Sequence, residues 1–417
     1  VDIAVGHQGD GSLHLFENRG DGSFAEPRVD AVNGDLDNLN RSALGDFDGD
    51  GFQDLGFSNA ASGGLVSLLE NKAGDGLLDL NFDLAWTRQV GGPRLNTIET
   101  SAVAPDGGLI VVGQQDLRGA DPKVVARKLS PEGDLLWAHT LGNQETSVHG
   151  LSVSESGAVY LSGEVTLSGL GSLDNHFSTL DTGSGEYRPG DPFVVKLSSD
   201  GEQQWFERFG SPDVDSGATD LAIGANGTIY VLAQATGPFV PGHAEPSTSD
   251  DMAITAFSSD GVLQWSRLIG SGENDHARKL AVDPTSGDLI VAGLTDGGLD
   301  TLAIDGGPAD TPAPNFSGDT GDGNRGFFLR LDPDAEGGLT QVRQFELNGG
   351  DSLDGVSIGP DGAVTVVGET SGLEGAPGVP LVSVQIPYAQ RFDADGARAW
   401  LRQDSSANDV QNGQDGH

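Results

Sequence analysis

The stretch 45–57, GDFDGDGFQDLGF, carries four aspartates within nine positions. Carboxylates at alternate positions, with a glycine where the backbone must turn sharply, let a short loop wrap hard oxygen ligands around calcium. Counted along such a loop, positions 1, 3, 5 and 9 are aspartates, position 6 is Gly51, and position 7 offers a backbone carbonyl. The pattern predicts a calcium site, the alternative being a solvated acidic turn. The predicted ligands are Asp46, Asp48, Asp50, Phe52 and Asp54.

The segments on either side of this loop indicate strands. An EF-hand would need a bidentate glutamate at position 12 of the loop, and that position is Phe57. The flanks RSALGDF and DLGFSNA have the pattern of strands rather than helices. The EF-hand interpretation therefore fails, and we expect the loop to join two strands.

Two hairpin patterns recur through the rest of the chain. One is an apolar run, a DG, SG or NG pair and another apolar run, as in SAVAPDGGLIVVG. Such pairs are typical of tight turns that need positive φ. The other pattern ends on tryptophan four residues after a turn glycine, as in SDGEQQW; one copy, AEGGLTQV, carries Val342 where the tryptophan would fall. The two hairpins together make one four-stranded repeat.

The turn glycines are spaced in two ways. From the second hairpin of one repeat to the first hairpin of the next they are 24 to 26 residues apart, whereas within a repeat the interval varies from 26 to 51 residues. A fixed step between repeats with one variable loop in each is typical of β-propeller blades. The variable loops would share one face of a propeller. They lie near 114–122, 164–191, 234–250, 294–325 and 369–382.

These landmarks carry two family resemblances. Residues from about 86 to 402 resemble the bacterial seven-bladed propeller repeat often called SBBP, with its apolar strand, turn glycine, VYVTG-like strand, FVVKL hairpin and tryptophan. The first 85 residues resemble the FG-GAP or VCBS repeats of integrin α-subunits and bacterial surface proteins, in which an aspartate loop joins the first two strands of a blade. The second resemblance implies that the loop ligands given above hold a structural calcium ion.

The resemblances imply one all-β propeller of seven four-stranded blades over residues 1–417. Residues 1–85 would form FG-GAP/VCBS-like blades, 86–402 five SBBP-like blades, and 403–417 a closing strand. Residues 1–28 match only the second half of a repeat, so the two ends of the chain would share one blade and close the ring. A second calcium site would form there from Asp2, Asp409 and Asp415. A competing interpretation, compatible with the shared blade, is that both ends are cut points in a longer surface protein.

An acidic residue recurs 12 positions before the first-hairpin glycine. The column holds Glu145, Asp215 and Asp275, with Asp351 one place off. If the first strand of each blade lines the central channel, these carboxylates gather at its mouth, where they would hold a cation or do acid–base work on a glycan. The simpler interpretation is that they accept hydrogen bonds from backbone amides at the strand starts.

The composition limits the partners. A formal charge of -41, from 22 basic and 63 acidic residues, disfavours nucleic acid and anionic membranes. No apolar run is long enough to span a bilayer, so we expect no transmembrane segment. Without cysteine there is neither a disulfide framework nor a thiolate zinc site. Cations and neutral glycans fit such a chain.

Together these features predict an acidic, extracellular or cell-surface bacterial β-propeller, stabilised by calcium and acting as a binding or adhesion module rather than an enzyme. Its long loops would contact a polysaccharide or another surface protein, with no catalytic residue assigned. Aromatic residues of the loops would be anchors or would pack against their own loops. They are Phe177, Tyr187, Phe239 and Phe316. The alternative is a glycan-active hydrolase or lyase using carboxylates at the channel mouth.

Overall fold

A computed structural model shows a chain built of β-strands. It describes residues 3–6, 13–16, 28–30, 39–47, 54–59, 65–71, 82–90, 97–115, 123–143, 146–165, 191–210, 216–235, 239, 250–304, 311–317, 325–346, 352–370 and 386–403. Apart from the 3₁₀ turn Pro333–Ala335, all regular structure in these ranges is β-strand. None of the described residues belongs to a helix that is long and apolar enough to cross a membrane.

The chain groups into two units, each with a hydrophobic core of its own. Unit 1 comprises residues 1–176 and 194–207, and unit 2 comprises 177–193 and 208–417.

Unit 1 begins with a three-stranded antiparallel sheet of β1 (Ile3–Gly6), β2 (Leu13–Phe16) and β3 (Arg28–Asp30). Blade 1 consists of β4 (Leu39–Gly45), β5 (Asp54–Asn59), β6 (Leu65–Asn71) and β7 (Phe82–Gln89). Blade 2 consists of β8 (Thr100–Val103), β9 (Leu109–Gln115), β10 (Lys123–Leu129) and β11 (Leu135–Asn143). Blade 3 consists of β12 (Thr146–Val153), β13 (Val159–Val165), β14 (Asp191–Leu197) and β15 (Gln203–Arg208). Residues 191–193 and 208 of blade 3 group with unit 2.

Unit 2 holds three further sheets. Blade 4 consists of β16 (Ser216–Ile223), β17 (Ile229–Ala235), β18 (Asp251–Phe257) and β19 (Leu263–Gly270). Blade 5 starts with β20 (Asp275–Val282) and β21 (Leu289–Thr295). Its long connection then forms β22 (Thr301–Ile304) and β23 (Thr311–Pro312), which extend the edge of blade 4 beyond β19. Blade 5 ends with β24 (Arg325–Asp332) and β25 (Gly338–Glu346). Blade 6 consists of β26 (Gly355–Ile358), β27 (Val364–Thr370), β28 (Ile386–Phe392) and β29 (Arg398–Gln403).

The four-stranded antiparallel blade is confirmed, but the predicted count of seven such blades is not. Six blades have four meandering strands, and the N-terminal sheet has three strands within the described ranges. Residues 1–28 supply only part of a repeat, which is why a further strand was expected from 403–417. Of that segment only Gln403, the end of β29, is described, so the predicted closure stays a prediction.

The predicted hairpins form at glycines with positive φ, as DG, SG and NG pairs require. Ten such glycines have φ between 74° and 85°. In blade 5 the turn glycine is Gly337, not Gly338, because the 3₁₀ turn is followed by Glu336 at φ 53° and Gly337 at φ 75°. The strand after this turn is therefore shifted by one residue. Arg330 faces Gln341 as Ala256 faces Trp265 in blade 4, so Val342 does not occupy the tryptophan position and that expectation was wrong.

The tryptophan position joins each blade to the next one within a unit. Trp86 Nε1 donates to the Pro131 carbonyl at 2.7 Å, and Trp137 Nε1 donates to the Ser199 carbonyl at 2.9 Å. Both acceptors stand two residues before the turn glycine of the next blade. In blade 5, Gln341 Nε2 reaches the equivalent carbonyl of Ala394 at 3.4 Å. The recurring glycine and tryptophan are therefore two halves of one contact between neighbouring blades.

Candidate functional site

The aspartate loop joins β4 to β5 in blade 1, as the sequence predicts. Gly45 and Asp54 face each other in the register of these strands, so residues 46–53 form the connection. Its flanks are strands, which agrees with the rejection of an EF-hand. The predicted ligands Asp48, Asp50 and Phe52 lie outside the described residues, whereas Asp46 and Asp54 lie within them.

Asp54 is a buried carboxylate with 0% exposure at the start of β5. Its Oδ2 accepts a hydrogen bond from the Phe47 backbone N–H at 2.8 Å. Phe47 is buried in the core of unit 1, in one cluster with Trp86 of β7 and Leu109 of blade 2. The two ends of the loop are thus fixed against each other, and Asp46 is partly buried beside Phe47.

The donor chemistry of this loop fits calcium. Four carboxylates and a carbonyl are hard oxygen ligands, and clustered carboxylates repel one another unless a cation neutralises them. Burial of the Asp54 carboxylate removes it from water, a cost that a bound cation would offset. Within the described ranges no three His, Cys, Asp or Glu side chains are grouped to hold a metal ion. Because three of the five ligands lie outside those ranges, the ligand set stays a prediction.

Among the other predicted acidic site residues, only Asp275 lies within the described ranges. Asp2, Asp409 and Asp415, predicted as a second calcium site, are outside the described residues. The same is true of three members of the acidic column, Glu145, Asp215 and Asp351. Asp275, the fourth, begins β20 in unit 2.

The Asp275 side chain is buried with 0% exposure. Its Oδ2 accepts a hydrogen bond from the backbone N–H of Ser271, and its buried Oδ1 has no hydrogen-bond partner in the described part of the chain. Burial raises the pKa of this carboxyl above its ordinary value, and hydrogen bonds from Thr295 and Ser271 oppose that shift only in part. Asp275 therefore keeps its proton to a higher pH than an exposed aspartate.

A second buried carboxylate, missed by the sequence reasoning, lies nearby. Asp251 begins β18 and has 0% exposure. A Cβ built on Gly270 would lie 2.0 Å from Asp251 Oδ1, so only glycine fits at this approach. Since Asp275 bonds to the amide of Ser271, both carboxylates contact the same stretch of backbone at the end of β19. Glycine at position 270 is thus required by a contact between blade 4 residues, not by a turn.

A comparison between repeats could have found Asp251. Blade 3 also begins its third strand with an aspartate, Asp191, in DPFVVKL, and blade 4 has DMAITAF. Asp191 and Arg208 form a buried ion pair. Three residues after tryptophan, where blade 3 has Arg208, blade 4 has Leu268. The two blades therefore carry the same buried acid with different neighbours.

Gln234 of β17 holds the starts of β18 and β20 together. Its Nε2 donates to the carbonyls of Asp275 at 2.8 Å and Asp251 at 3.3 Å, and its Oε1 accepts from Ala277 N at 3.2 Å. The long-loop ends of blades 4 and 5 thus meet here, as expected for first strands that begin on that face. With no exposed surface, Asp275 cannot contact a substrate in this conformation.

Two of the four loop aromatics are described, and both pack against the fold. Phe239 is 2% exposed and meets Phe209 edge-on, with ring centroids 6.0 Å apart. Phe316 is partly buried against the core of unit 2. Neither is an exposed anchor, whereas Phe177 and Tyr187 lie outside the described residues.

Comparison with known proteins agrees with the fold. Residues 1–57 match the family model of an FG-GAP-like repeat. The matched range contains the whole aspartate loop, from Asp46 to Asp54. No curated protein sequence matches the chain significantly. The fold and this match define a class: an all-β propeller with four-stranded antiparallel blades and FG-GAP-like repeats at its start.

Several solved structures are similar over almost the whole chain. The periplasmic gluconolactonase PpgL of Pseudomonas aeruginosa is 13% identical with a TM-score of 0.56, covering 96% of this chain and 94% of that one. A candidate 6-phosphogluconolactonase of Bacteroides uniformis is 13% identical with a TM-score of 0.52, covering 97% and 95%. Chaetomium thermophilum Sqt1, bound to the N-terminus of ribosomal protein L10, is 12% identical with a TM-score of 0.48, covering 97% and 81%. At 13% identity the likeness to the two lactonase structures shows the fold alone, and the resemblance to SBBP and VCBS repeats stays a prediction.

Proposed function

We propose that this protein is a calcium-stabilised β-propeller that acts as a binding module outside the bacterial cell, either secreted or held at the cell surface. The observation that carries the proposal is the aspartate loop of blade 1. It ends on the buried carboxylate of Asp54, and it lies in the part of the chain that matches an FG-GAP-like repeat. Calcium has a structural role in this proposal.

When bound, calcium would supply the positive charge that four clustered carboxylates need. Its ligands would be Asp46, Asp48, Asp50, Phe52 and Asp54. The benefit would extend beyond the loop, because Phe47 packs with residues of blades 1 and 2. In addition, a Cβ on Gly107, in the first turn of blade 2, would lie 2.9 Å from the Phe47 carbonyl oxygen. Ordering the loop would therefore stabilise the contact between these two blades.

The partner we propose is a polysaccharide or another surface protein, contacted by the long loops. The charge of -41 favours a neutral glycan or a basic protein surface over nucleic acid. One long connection is attached to the body of the fold: β22 pairs with the end of β19, with Ile304 facing Ile269 and Ala303 facing Gly270. Backbone pairing of this kind holds a loop in place, as a recognition surface needs.

Thermal unfolding with and without a calcium chelator tests the metal. We expect chelation to lower the Tm of the wild type, because a ligand present at 100 times its Kd stabilises by about 2.7 kcal/mol. Asp48→Ala should have a low Tm that the chelator does not change. Asp260→Ala, at an exposed turn aspartate of blade 4, keeps the same net charge as Asp48→Ala and should still respond to the chelator. An unchanged wild-type Tm would refute the calcium proposal.

A glycan array with calcium present tests the partner. Binding without turnover, measured on the same preparation by a reducing-sugar assay, supports a binding module. Treatment of intact cells with an external protease tests the location of the chain. Release of fragments of this chain from intact cells would support a position at the cell surface. Retention of the chain in the cytosolic fraction would contradict the proposed location.

The second candidate function is hydrolysis. Two observations favour it: two similar solved structures carry lactonase names, and Asp275 has a raised pKa, as a general acid would need. The zero exposure of Asp275 weighs against it. The test is whether the wild type shows turnover that Asp275→Asn loses while keeping its fold. That result would favour an enzyme over the proposed binding module.

A further inference from the structure

The long connection of blade 5 runs along the outer strands of blades 4 and 5, both in unit 2. We call residues 299–304 and 311–317 of this connection the strap. β22 of the strap pairs with the end of β19, and β23 pairs with β22. Ser317 then pairs with β25, its N–H donating to the Val342 carbonyl at 3.0 Å. The strap therefore lies across the groove between the outer strands of two neighbouring blades.

Apolar side chains of the strap fill this groove. Leu299 and Leu302 have 0% exposure, and Phe316 is partly buried against the same cluster. That cluster includes Val342 of β25, so the strap packs against the wall formed by blade 5. Gln344 of β25 fixes the start of the strap, because its Oε1 accepts a hydrogen bond from the Leu299 N–H at 3.0 Å. In unit 2 the groove is thus occupied by an extended, apolar piece of the chain itself.

Blades 1 and 2 form the equivalent groove in unit 1. The sequence TRQVG at 87–91, at the end of β7, matches SRLIG at 266–270, at the end of β19. In both grooves the arginine donates to the carbonyl of the residue before the turn glycine of the next blade, Arg88 to Glu132 at 3.2 Å and Arg267 to Glu336 at 2.8 Å. Val90 therefore corresponds to Ile269, the residue that faces Ile304 of the strap.

The second wall of the groove also corresponds between the two units. Leu135 of β11 faces Leu129, as Leu339 of β25 faces Leu331. The surroundings of the two wall residues differ. Leu135 is 58% exposed, whereas Leu339 is partly buried against the cluster that contains the strap. The leucine that is covered in unit 2 is therefore uncovered in unit 1.

The connection of blade 2 is too short to supply a strap of its own. Blade 5 has residues 296–324 between the paired residues Thr295 and Arg325, whereas blade 2 has only 116–122 between the paired residues Gln115 and Lys123. Residues 116–122 are fewer than the residues from the start of β22 to the end of β23. An equivalent segment for the groove of unit 1 must therefore come from elsewhere.

The groove of unit 1 is a cavity of about 410 Å³ with an apolar floor. Val90 is 7% exposed and Leu129 is 2% exposed, and both belong to the core of unit 1. A volume of about 300–1,000 Å³ is typical of binding sites. Arg88 and Arg127 line the groove, and none of the described residues that line it is acidic. A partner with negative charge beside its apolar residues therefore fits the groove better than a basic one.

We propose that this groove binds an extended segment of a partner protein. The segment adds a short strand beside Val90, as β22 does beside Ile269, and inserts bulky apolar side chains between Val90, Leu129 and Leu135. In such strand addition, main-chain hydrogen bonds give affinity and pockets for alternate side chains give specificity.

The strap shows the chemistry that the partner segment needs. The run DTLAID at 300–305 carries apolar residues at alternate positions, Leu302 and Ile304, with an aspartate on each side. The site does not depend on the proposed function. A failure of calcium binding or of glycan binding leaves it intact, and its own failure leaves them intact.

Fluorescence anisotropy of the full chain with a labelled synthetic peptide of residues 299–317, LDTLAIDGGPADTPAPNFS, tests the groove. We expect saturable binding of this strap peptide. A second peptide with Leu302→Ser, Ile304→Ser and Phe316→Ser keeps the charge but loses the apolar anchors, and it should not bind.

Variants of the full chain place the peptide in unit 1. Leu135→Gln copies the residue of blade 3 at the equivalent position, Gln203, and should weaken binding about tenfold, because a leucine side chain is no longer there to be buried. Ala138→Trp fills the groove from β11 and should abolish binding. Val262→Gln removes an apolar side chain that is 59% exposed in blade 4, and it should bind as the wild type. All three positions are exposed, so each variant should keep the wild-type Tm.

Three results would overturn the proposal. The first is no saturable binding of the strap peptide up to about 1 mM, as expected if the chain itself fills the groove. The second is binding that Leu135→Gln and Ala138→Trp leave unchanged, because the peptide would then lie elsewhere, for instance in place of the strap in unit 2. The third is equal binding of the serine peptide, because the apolar side chains would then not be the anchors.

Discussion

The contact between tryptophan and turn glycine can be measured by replacing one glycine. Gly201, in the second hairpin of blade 3, has φ 82°, and an added Cβ would lie 2.6 Å from Cδ2 and 2.7 Å from Cε3 of Trp137. Gly201→Ala therefore lowers the free energy of unfolding in two ways. An L residue in the left-handed region costs about 1–2 kcal/mol, and displacing a packed ring costs about 1–3 kcal/mol more. We expect a loss of about 2–5 kcal/mol in the free energy of unfolding.

A second glycine provides a matched control. Gly287 has φ 83°, and an added Cβ would meet nothing within 4 Å. Gly287→Ala should therefore lose only the conformational part, about 1–2 kcal/mol. Chemical denaturation followed by tryptophan fluorescence measures each loss, and differential scanning calorimetry shows whether the two units unfold together.

A double-mutant cycle isolates the ring. In a Trp137→Ala background the clash is absent, so Gly201→Ala should cost no more than Gly287→Ala does in the wild type. Equal losses for Gly201→Ala and Gly287→Ala in the wild-type background would refute the reasoning. So would a Gly201→Ala loss that stays the same without Trp137, because the extra cost would then not come from the ring.

Two further predictions concern the buried acids of unit 2. Gly270→Ala should be strongly destabilising, by about 3 kcal/mol or more, because Asp251 Oδ1 occupies the space that an added Cβ would need. Gly272→Ala is the control and should be close to neutral, because an added Cβ there would meet nothing within 4 Å. Similar Tm values for the two variants would contradict this prediction. Because burial raises the pKa of Asp275 in the folded chain, its contribution to stability is full below its unfolded pKa and is lost as the pH rises through the folded pKa. The Tm of Asp275→Asn should therefore rise relative to the wild type as the pH increases above about 4, the ordinary pKa of an aspartate, and a constant or shrinking difference would count against a raised pKa.

Local features of the fold were predictable from the sequence. A DG, SG or NG pair between apolar runs specifies a hairpin through its own φ requirement, and nine of the ten turn glycines were assigned correctly. The tenth failed because Glu336, a residue that rarely takes positive φ, adopts φ 53° ahead of Gly337. No signal in the stretch AEGG distinguishes the two glycines.

Features that depend on contacts between strands were harder to predict. The acidic column placed Asp275 at the start of a first strand, but its burial depends on Ser271 and Gln234, which come from other strands or connections. Gly270 looks like an ordinary strand-end glycine until Asp251 is placed beside it. The number of blades depended on the chain ends, where a partial repeat alone does not determine the sheet that completes it.

The hydrogen bonds from Trp86 and Trp137 to the following blade give the synthesis of unit 1 a direction. Trp86 precedes its acceptor Pro131 by 45 residues, and Trp137 precedes Ser199 by 62. At about 5–20 residues per second, a ribosome needs roughly 2 to 12 s to make the missing acceptor after the tryptophan itself. During that interval the tryptophan in the last strand of the newest blade has no acceptor for its hydrogen bond, because the turn of the next blade has not been synthesised. In the nascent chain, the last strand of the newest blade would therefore lack its hydrogen bond to the next blade. A chaperone or an incorrect strand partner would bind most readily at that strand.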